Sequence, residues 1–165
     1  MKRVDYFNWV RDIPYNIPLT PEEPDHCCLG KHQILEKLLK GAGLEVRPRI
    51  CESDWDSLSI PKEILKIPHQ SEVYHVYLEV KLRGKWCQID ASLDKGLSKS
   101  FPLIEWDGNT STNLCITPKG KIFSPKESFE IYHDNTDNTP ASEIKFYSAL
   151  NSWFREIRVG AQFKQ

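Results

Sequence analysis

Cys27 and Cys28 open an amphipathic segment that carries His32 one helical turn later, and His75 and Asp90 lie in two alternating runs further along the chain. A thiol at a helix amino terminus sits in the positive end of the helix dipole, which favours the thiolate over the thiol. A histidine beside that sulfur can take and return its proton, and a carboxylate behind the histidine can hold the ring. Nucleophile, base and orienting group together perform acyl transfer through a thioester. Cys28, His75 and Asp90 are the catalytic candidates on these grounds. His32 is the rival base, because helical side chains lean toward the amino terminus and bring it within reach of the thiol. Only His75 has a carboxylate in prospect, so His32 is expected to support the packing around the thiol. His26, Cys27, Cys28 and His32 could be read as metal ligands, but their spacing is not that of zinc ribbons or fingers. No metal and no other cofactor is expected.

The elements that must position these residues can be read from periodicity. Val4, Phe7, Val10 and Ile13 predict a first helix over residues 3–12, ending near Ile13-Pro14. Pro14, Pro18, Pro21 and Pro24 keep residues 14–26 extended. Asp25 or His26 can cap the second helix, and Gly41 and Gly43 stop it. Its buried stripe is Cys28, His32, Leu35, Leu39 and Ala42, flanked by Ile34 and Leu38, with Lys31, Glu36, Lys37 and Lys40 facing away. Residues 44–51 predict a strand, and 52–72 a long connection with a helical turn at 62–66. In that connection Asp54, Trp55 and Asp56 could form a lid or a plain surface excursion. Residues 73–82 and 85–92 alternate as strands. A further strand pair is expected at 113–117 and 121–123, then a polar loop over 133–139. A last helix is expected from Pro140 with Thr139 as its cap. Cys27 is read as packing, Cys51, Cys87 and Cys115 as core, and His69 and His133 as exposed loop residues. The order of elements is α+β.

Arg83-Gly84 between the two alternating runs gives a geometric test. A two-residue hairpin loop sets Leu82 opposite Lys85. One face then collects Tyr74, Val76, Leu78, Val80 and Leu82 against Leu93, Ala91, Ile89 and Cys87. The other collects His75, Tyr77 and Glu79 against Ser92, Asp90 and Gln88. Asp90 falls opposite Tyr77 and diagonal to His75, roughly 7–8 Å away at the backbone and within reach of a hydrogen bond. A three-residue loop would bury Gln88 among the hydrophobes, so alternation rejects it.

Cys28-Leu29-Gly30-Lys31-His32, with Leu38-Leu39 and Ala42-Gly43-Leu44-Glu45-Val46-Arg47 behind it, resembles the nucleophile helix of the transglutaminase-like superfamily. Tyr74-His75-Val76-Tyr77-Leu78-Glu79-Val80 and Gly84-Lys85-Trp86-Cys87-Gln88-Ile89-Asp90 resemble that family's histidine strand and its Trp-x-x-x-Asp strand. The likeness covers roughly residues 25–95, with plausible flanks in Asp12-Ile13-Pro14-Tyr15 and the closing helix. It implies a papain-like α+β fold: a nucleophile helix packed on a small antiparallel sheet, with further helices at both ends. Cys28 would be the nucleophile, His75 the base and Asp90 its orienter. Papain-type enzymes also use a glutamine upstream of the cysteine in the oxyanion hole, and no Gln precedes Cys28 here. The Cys28 backbone N–H can supply one donor; Trp9, Tyr15 and Asn16 are the candidates for a second. Trp86, on the His75 face, is a candidate wall of the site. No acidic cluster resembles a calcium loop, so calcium activation is not implied.

Composition sets the outer bounds. A chain of 165 residues, 39% hydrophobic and 27% charged, is expected to form a single domain spanning 1–165. A formal net charge of -1 without a block of Lys and Arg gives no footprint for nucleic acid or an anionic membrane. The absence of a signal-type apolar stretch, and five cysteines without framework spacing, lead to the expectation of a cytoplasmic protein with reduced thiols. Oligomeric state leaves no mark in the sequence. The expected function is thiol-dependent acyl transfer on carboxamide bonds of a peptide, glutamine or related small amide. Hydrolysis is preferred over transamidation, because nothing marks a dry channel for an acceptor amine. A non-catalytic domain that binds a peptide or partner protein in its cleft is the alternative, and the missing oxyanion glutamine is its argument. An arylamine acetyltransferase with the same three residue types would need acetyl-coenzyme A, for which no phosphate-cradling glycine loop is present.

Overall fold

Arg83 and Gly84 take φ values of 50° and 80°, the type I′ turn whose twist matches that of the strands it joins. The structure, a computed structural model describing residues 2–134 and 139–162, is organised around that turn. It joins β2 (Glu72–Leu82) to β3 (Lys85–Ile89), and β1 (Val46–Asp54) pairs antiparallel with the other edge of β2. Leu82 pairs with Lys85 and Leu78 with Ile89, the register expected from alternation. Five helices accompany the sheet among the described residues: α1 (Arg3–Arg11), α2 (Cys28–Gly41), α3 (Lys62–Leu65), α4 (Pro125–His133) and α5 (Ile144–Gln162). The architecture is α+β with a small three-stranded antiparallel sheet. No described helix is long and apolar enough to cross a membrane.

Val80, Leu78 and Ile89 of the sheet bury against Phe7 and Val10 of α1 and Leu35 and Leu39 of α2. Leu35 and Leu39 are fully buried, so truncating either to alanine costs about 2–5 kcal/mol. A second apolar group gathers Trp55, Leu97 and Phe101 onto Phe146, Leu150 and Phe154 of α5. The candidate site opens beside the second group, several of whose members line it.

Several elements differ from expectation. No strand pair forms at 113–123 among the described residues. Instead this segment runs along the free edge of β1, with Glu52 donating to the Lys121 carbonyl at 2.8 Å and Phe123 to the Ile50 carbonyl at 3.0 Å. Only the bridge between Cys51 and Ile122 remains of a ladder, because Pro118 lacks a donor and Gly120 takes φ 105°. α4 was not anticipated, although Ser124 and Glu127 form a reciprocal capping box with Pro125 in the first turn. α5 begins at Ile144 rather than Pro140, and Thr139 bonds the Pro18 carbonyl at 2.7 Å instead of capping it. Of the polar loop expected over 133–139, residues 135–138 lie outside the described residues.

On α2, Ala42 is exposed, whereas Lys31 and Glu36 are buried, against the expectation that these two face away. Neighbouring elements supply the reason. The Lys31 ammonium donates to the carbonyls of Arg11 and Ile13, both at 2.8 Å, and to that of Ser92. Burial lowers its pKa to about 8. Glu36 accepts from the Tyr132 hydroxyl of α4 at 2.8 Å and from Lys40 at 2.7 Å. Buried charge is tolerated because every ammonium or carboxylate contact is polar.

Candidate active site

Cys28 is placed by a close approach at the start of α2. Cys27 occupies the N-cap and donates its backbone N–H to the Asp25 carboxylate at 2.8 Å. A Cβ on Gly30 would lie 2.0 Å from the Asp25 carbonyl oxygen, so only glycine lets the chain turn this tightly into the helix. The first-turn N–H groups and helix dipole then point at the Cys28 region.

β3 stops at Ile89 and leaves the amino-terminal half of β2 without a strand on that side. Residues 90–92 and 112–115 fill the gap and carry the polar network. His75 Nε2 lies 2.8 Å from Asp90 Oδ2, which also accepts the Cys115 backbone N–H at 2.8 Å. Asp90 Oδ1 accepts from the Ser92 N–H at 3.0 Å and the Ser92 hydroxyl at 2.6 Å. The Asp90 N–H is held by Thr112 Oγ1 at 3.0 Å. Nε2 is committed to Asp90, and Cys28 lines the same cleft as His75, close enough for the ring to lower the pKa of its thiol.

The electrostatics follow from these contacts. Cys28 has its pKa held well below the ordinary thiol value, first by the hydrogen bond from the Cys27 thiol and then, against burial, by His75. Cys27 is pushed the opposite way by that bond and by burial, so it keeps its proton and donates. Burial opposes charge on His75, but Cys115 and Asp90 outweigh it and raise the ring well above the ordinary imidazole value. Burial also opposes charge on Asp90, which His75 overrides, holding the carboxyl well below the usual range. Burial pushes Cys115, whose sulfur lies 3.9 Å from His75 Nε2, up to about 11. Of the three sulfurs, Cys28 is the one whose thiolate is favoured, and the shift on His75 runs toward the imidazolium.

The site opens into a cleft of about 760 Å³. Cys28, His75, Cys115 and Tyr15 line it together with Trp55, Tyr147 and Phe154. Tyr15 is close enough that the Cys28 charge adds to burial in raising its hydroxyl pKa well above the ordinary value. The other expected contributors lie elsewhere. Trp9 is 58% exposed on α1 and does not line the cleft. Asn16 turns its amide to the Ile17 carbonyl at 3.4 Å and pairs by backbone with His26. Trp86 shares the His75 face but sits beside the hairpin turn, where the Arg47 guanidinium lies 4.0 Å over its ring. Its face was readable and its distance along the strand misplaces it.

His32 is fully buried with both ring nitrogens committed: Nδ1 lies 2.7 Å from the Cys28 carbonyl and Nε2 accepts the Ala91 N–H at 3.0 Å. That leaves no nitrogen for the thiol, so it ties α2 to the strand end. His26, Cys27, Cys28 and His32 form no metal-ligand group, because His32 points away into the core. His75, Asp90 and Cys115 do bring donor atoms within 4.8 Å of one another, a set that could hold a metal ion.

The sequence reading missed Cys27 as a donor to Cys28, Cys115 as a neighbour of His75, and His69 as a wall residue. His69 stacks on Phe146 at 3.9 Å and lines the cleft through the 52–72 connection, which packs on α5. Cys115 reaches the site from a loop, and no local pattern announces such a contact. Comparison with family models, with curated proteins and with solved structures finds no match to this chain.

Proposed function

We propose that this chain is a cysteine-dependent acyl-transfer enzyme of the transglutaminase-like, papain-like type, acting on carboxamide bonds of peptides or small amides. The observation that supports it is His75, hydrogen-bonded to the buried Asp90 at 2.8 Å and lining one cleft with Cys28, whose thiol it shifts toward the thiolate. Cys28 attacks the carboxamide carbon as thiolate, forming the carbon–sulfur bond while the carbonyl oxygen takes the negative charge. The Cys28 backbone N–H and the Tyr15 hydroxyl are the donors to that oxygen. His75 gives its proton to the nitrogen as the carbon–nitrogen bond breaks, and the amine departs. Water then attacks the thioester, His75 takes its proton, and the acid leaves as the Cys28 thiolate re-forms. Asp90 keeps the ring oriented throughout.

The test is release of ammonia or amine from a panel of glutamine peptides and peptide amides by the native protein and by Cys28→Ala. Turnover is expected to fall about 10⁴-fold or more in the variant. A variant as active as the native chain, or a native chain that binds such peptides without ever turning them over, would contradict the reading.

A further inference from the structure

Resting on that reading, the cleft also carries a pattern that speaks to its substrate. Glu52 of β1 and Glu72 of β2 line it, and among the described residues no Lys or Arg does. The neighbouring cations pair with other carboxylates, Lys119 with Asp54 at 2.7 Å and Lys121 with Glu127 at 2.6 Å, although Lys121 also feels the Glu52 charge. Glu52 accepts the Lys121 backbone N–H at 2.8 Å, and neither Glu52 nor Glu72 forms an ion pair among the described residues. The charges of Cys28 and His75 offset each other, and Asp90 is fully buried behind His75 and does not line the cleft. Tyr74, directly opposite Glu52 in the strand pair, leaves its ring 55% exposed. Trp55, which also lines the cleft, is 8% exposed and its indole Nε1 has no partner.

Carboxylates beside aromatic faces attract a cation and repel an anion, most strongly in a concave site with low-dielectric walls. We propose that the cleft selects amide substrates carrying a positive charge near the reacting carboxamide, such as lysine- or arginine-flanked peptide segments, and discriminates against acidic ones. The bulk of the protein, with a net charge of -1, provides no comparable bias, so the selectivity is local to Glu52 and Glu72.

Two peptidyl vinyl sulfones, identical except for lysine or glutamate beside the reactive group, test this by their labelling rates at Cys28, read by mass spectrometry. At low ionic strength the lysine probe is expected to react about 10-fold faster or more. The ratio is expected to shrink with added salt and to approach unity in the Glu52→Gln, Glu72→Gln double variant. Equal rates in the native protein, a faster glutamate probe, or a preference that survives the double variant would overturn the inference. Labelling of Cys28 by neither probe would overturn the acyl-transfer reading instead. Calorimetry with the two parent peptide amides then decides the charge selection alone: tighter binding of the lysine peptide supports it, and equal affinities overturn it.

Discussion

Asp90 and Asp94 both lie in the segment that leaves β3, and both are buried. Asp94 accepts from the Arg158 guanidinium at 2.6 and 3.1 Å, from the Tyr15 N–H at 2.9 Å and from the Gly96 N–H at 3.0 Å. Asp90 accepts from His75, the Cys115 N–H, and the N–H and hydroxyl of Ser92. In hydrogen-bond number and quality the two carboxylates are alike. They differ in what the partner can do with its proton. A guanidinium never gives one up, so Asp94 fastens α5 to the strand-like segment at Tyr15 and nothing more. An imidazole exchanges its proton near neutral pH, and the His75 ring shares its cleft with the Cys28 sulfur. A buried carboxylate becomes chemically useful through a partner whose charge can change.

Substituting each aspartate in turn separates the two roles. Asp90→Asn is expected to slow turnover about 10²–10⁴-fold, measured as kcat on an active amide substrate, because the ring loses its orienting anion. It should also lower the His75 pKa and raise that of Cys28. Alkylation of Cys28 at pH 6 then falls relative to pH 9. Because the folded Asp90 pKa is depressed, its stabilising contribution is present above about pH 4 and fades as pH falls toward the depressed value. Urea unfolding of Asp90→Asn should lack that part of the acid limb. Asp94→Asn leaves Arg158 partly unpaired in a half-buried position, at a cost of about 1–3 kcal/mol in urea denaturation. The pH profile of Cys28 alkylation is expected to be unchanged in the molecules that remain folded. A profile displaced as far as in Asp90→Asn would erase the contrast between the two carboxylates.

His32 sharpens the comparison from the histidine side. His32→Ala orphans the Ala91 N–H and removes the second donor from the Cys28 carbonyl, which is expected to cost about 1–3 kcal/mol of stability by thermal or urea unfolding. The pH midpoint of Cys28 alkylation should stay within about half a unit of native. A shift beyond a full unit would make His32 part of the proton relay.

The hairpin was the most legible part of this chain, because its register follows from period-2 alternation across a two-residue turn, and that register brings His75 to Asp90. The tip of α2 was legible for the same kind of reason: a stripe of Leu35 and Leu39 has one way to meet a sheet. What local pattern does not encode is which neighbour arrives from elsewhere. Lys31 counts as outward on a helical wheel, yet three carbonyls from α1 and the strand end make its burial acceptable. Cys115 approaches His75 through a loop whose path is fixed by bonds to β1, Gln88 and Asp90. Trp9 and Trp86 show the complementary failure, where a face is known but its distance from the thiol is not. α4 was readable in principle from Ser124-Pro125-Lys126-Glu127, since a capping box with proline inside it is a helix start.

The most direct measurement is the rate of iodoacetamide alkylation at Cys28 from pH 4 to pH 10, followed peptide by peptide so that Cys27 and Cys115 are scored separately. The Cys28 rate is expected to be near its plateau already at pH 6, with Cys27 and Cys115 rising only in strong alkali. A Cys28 rate that climbs through pH 8.5 like an ordinary thiol, in step with its neighbours, would contradict a preformed thiolate–imidazolium pair.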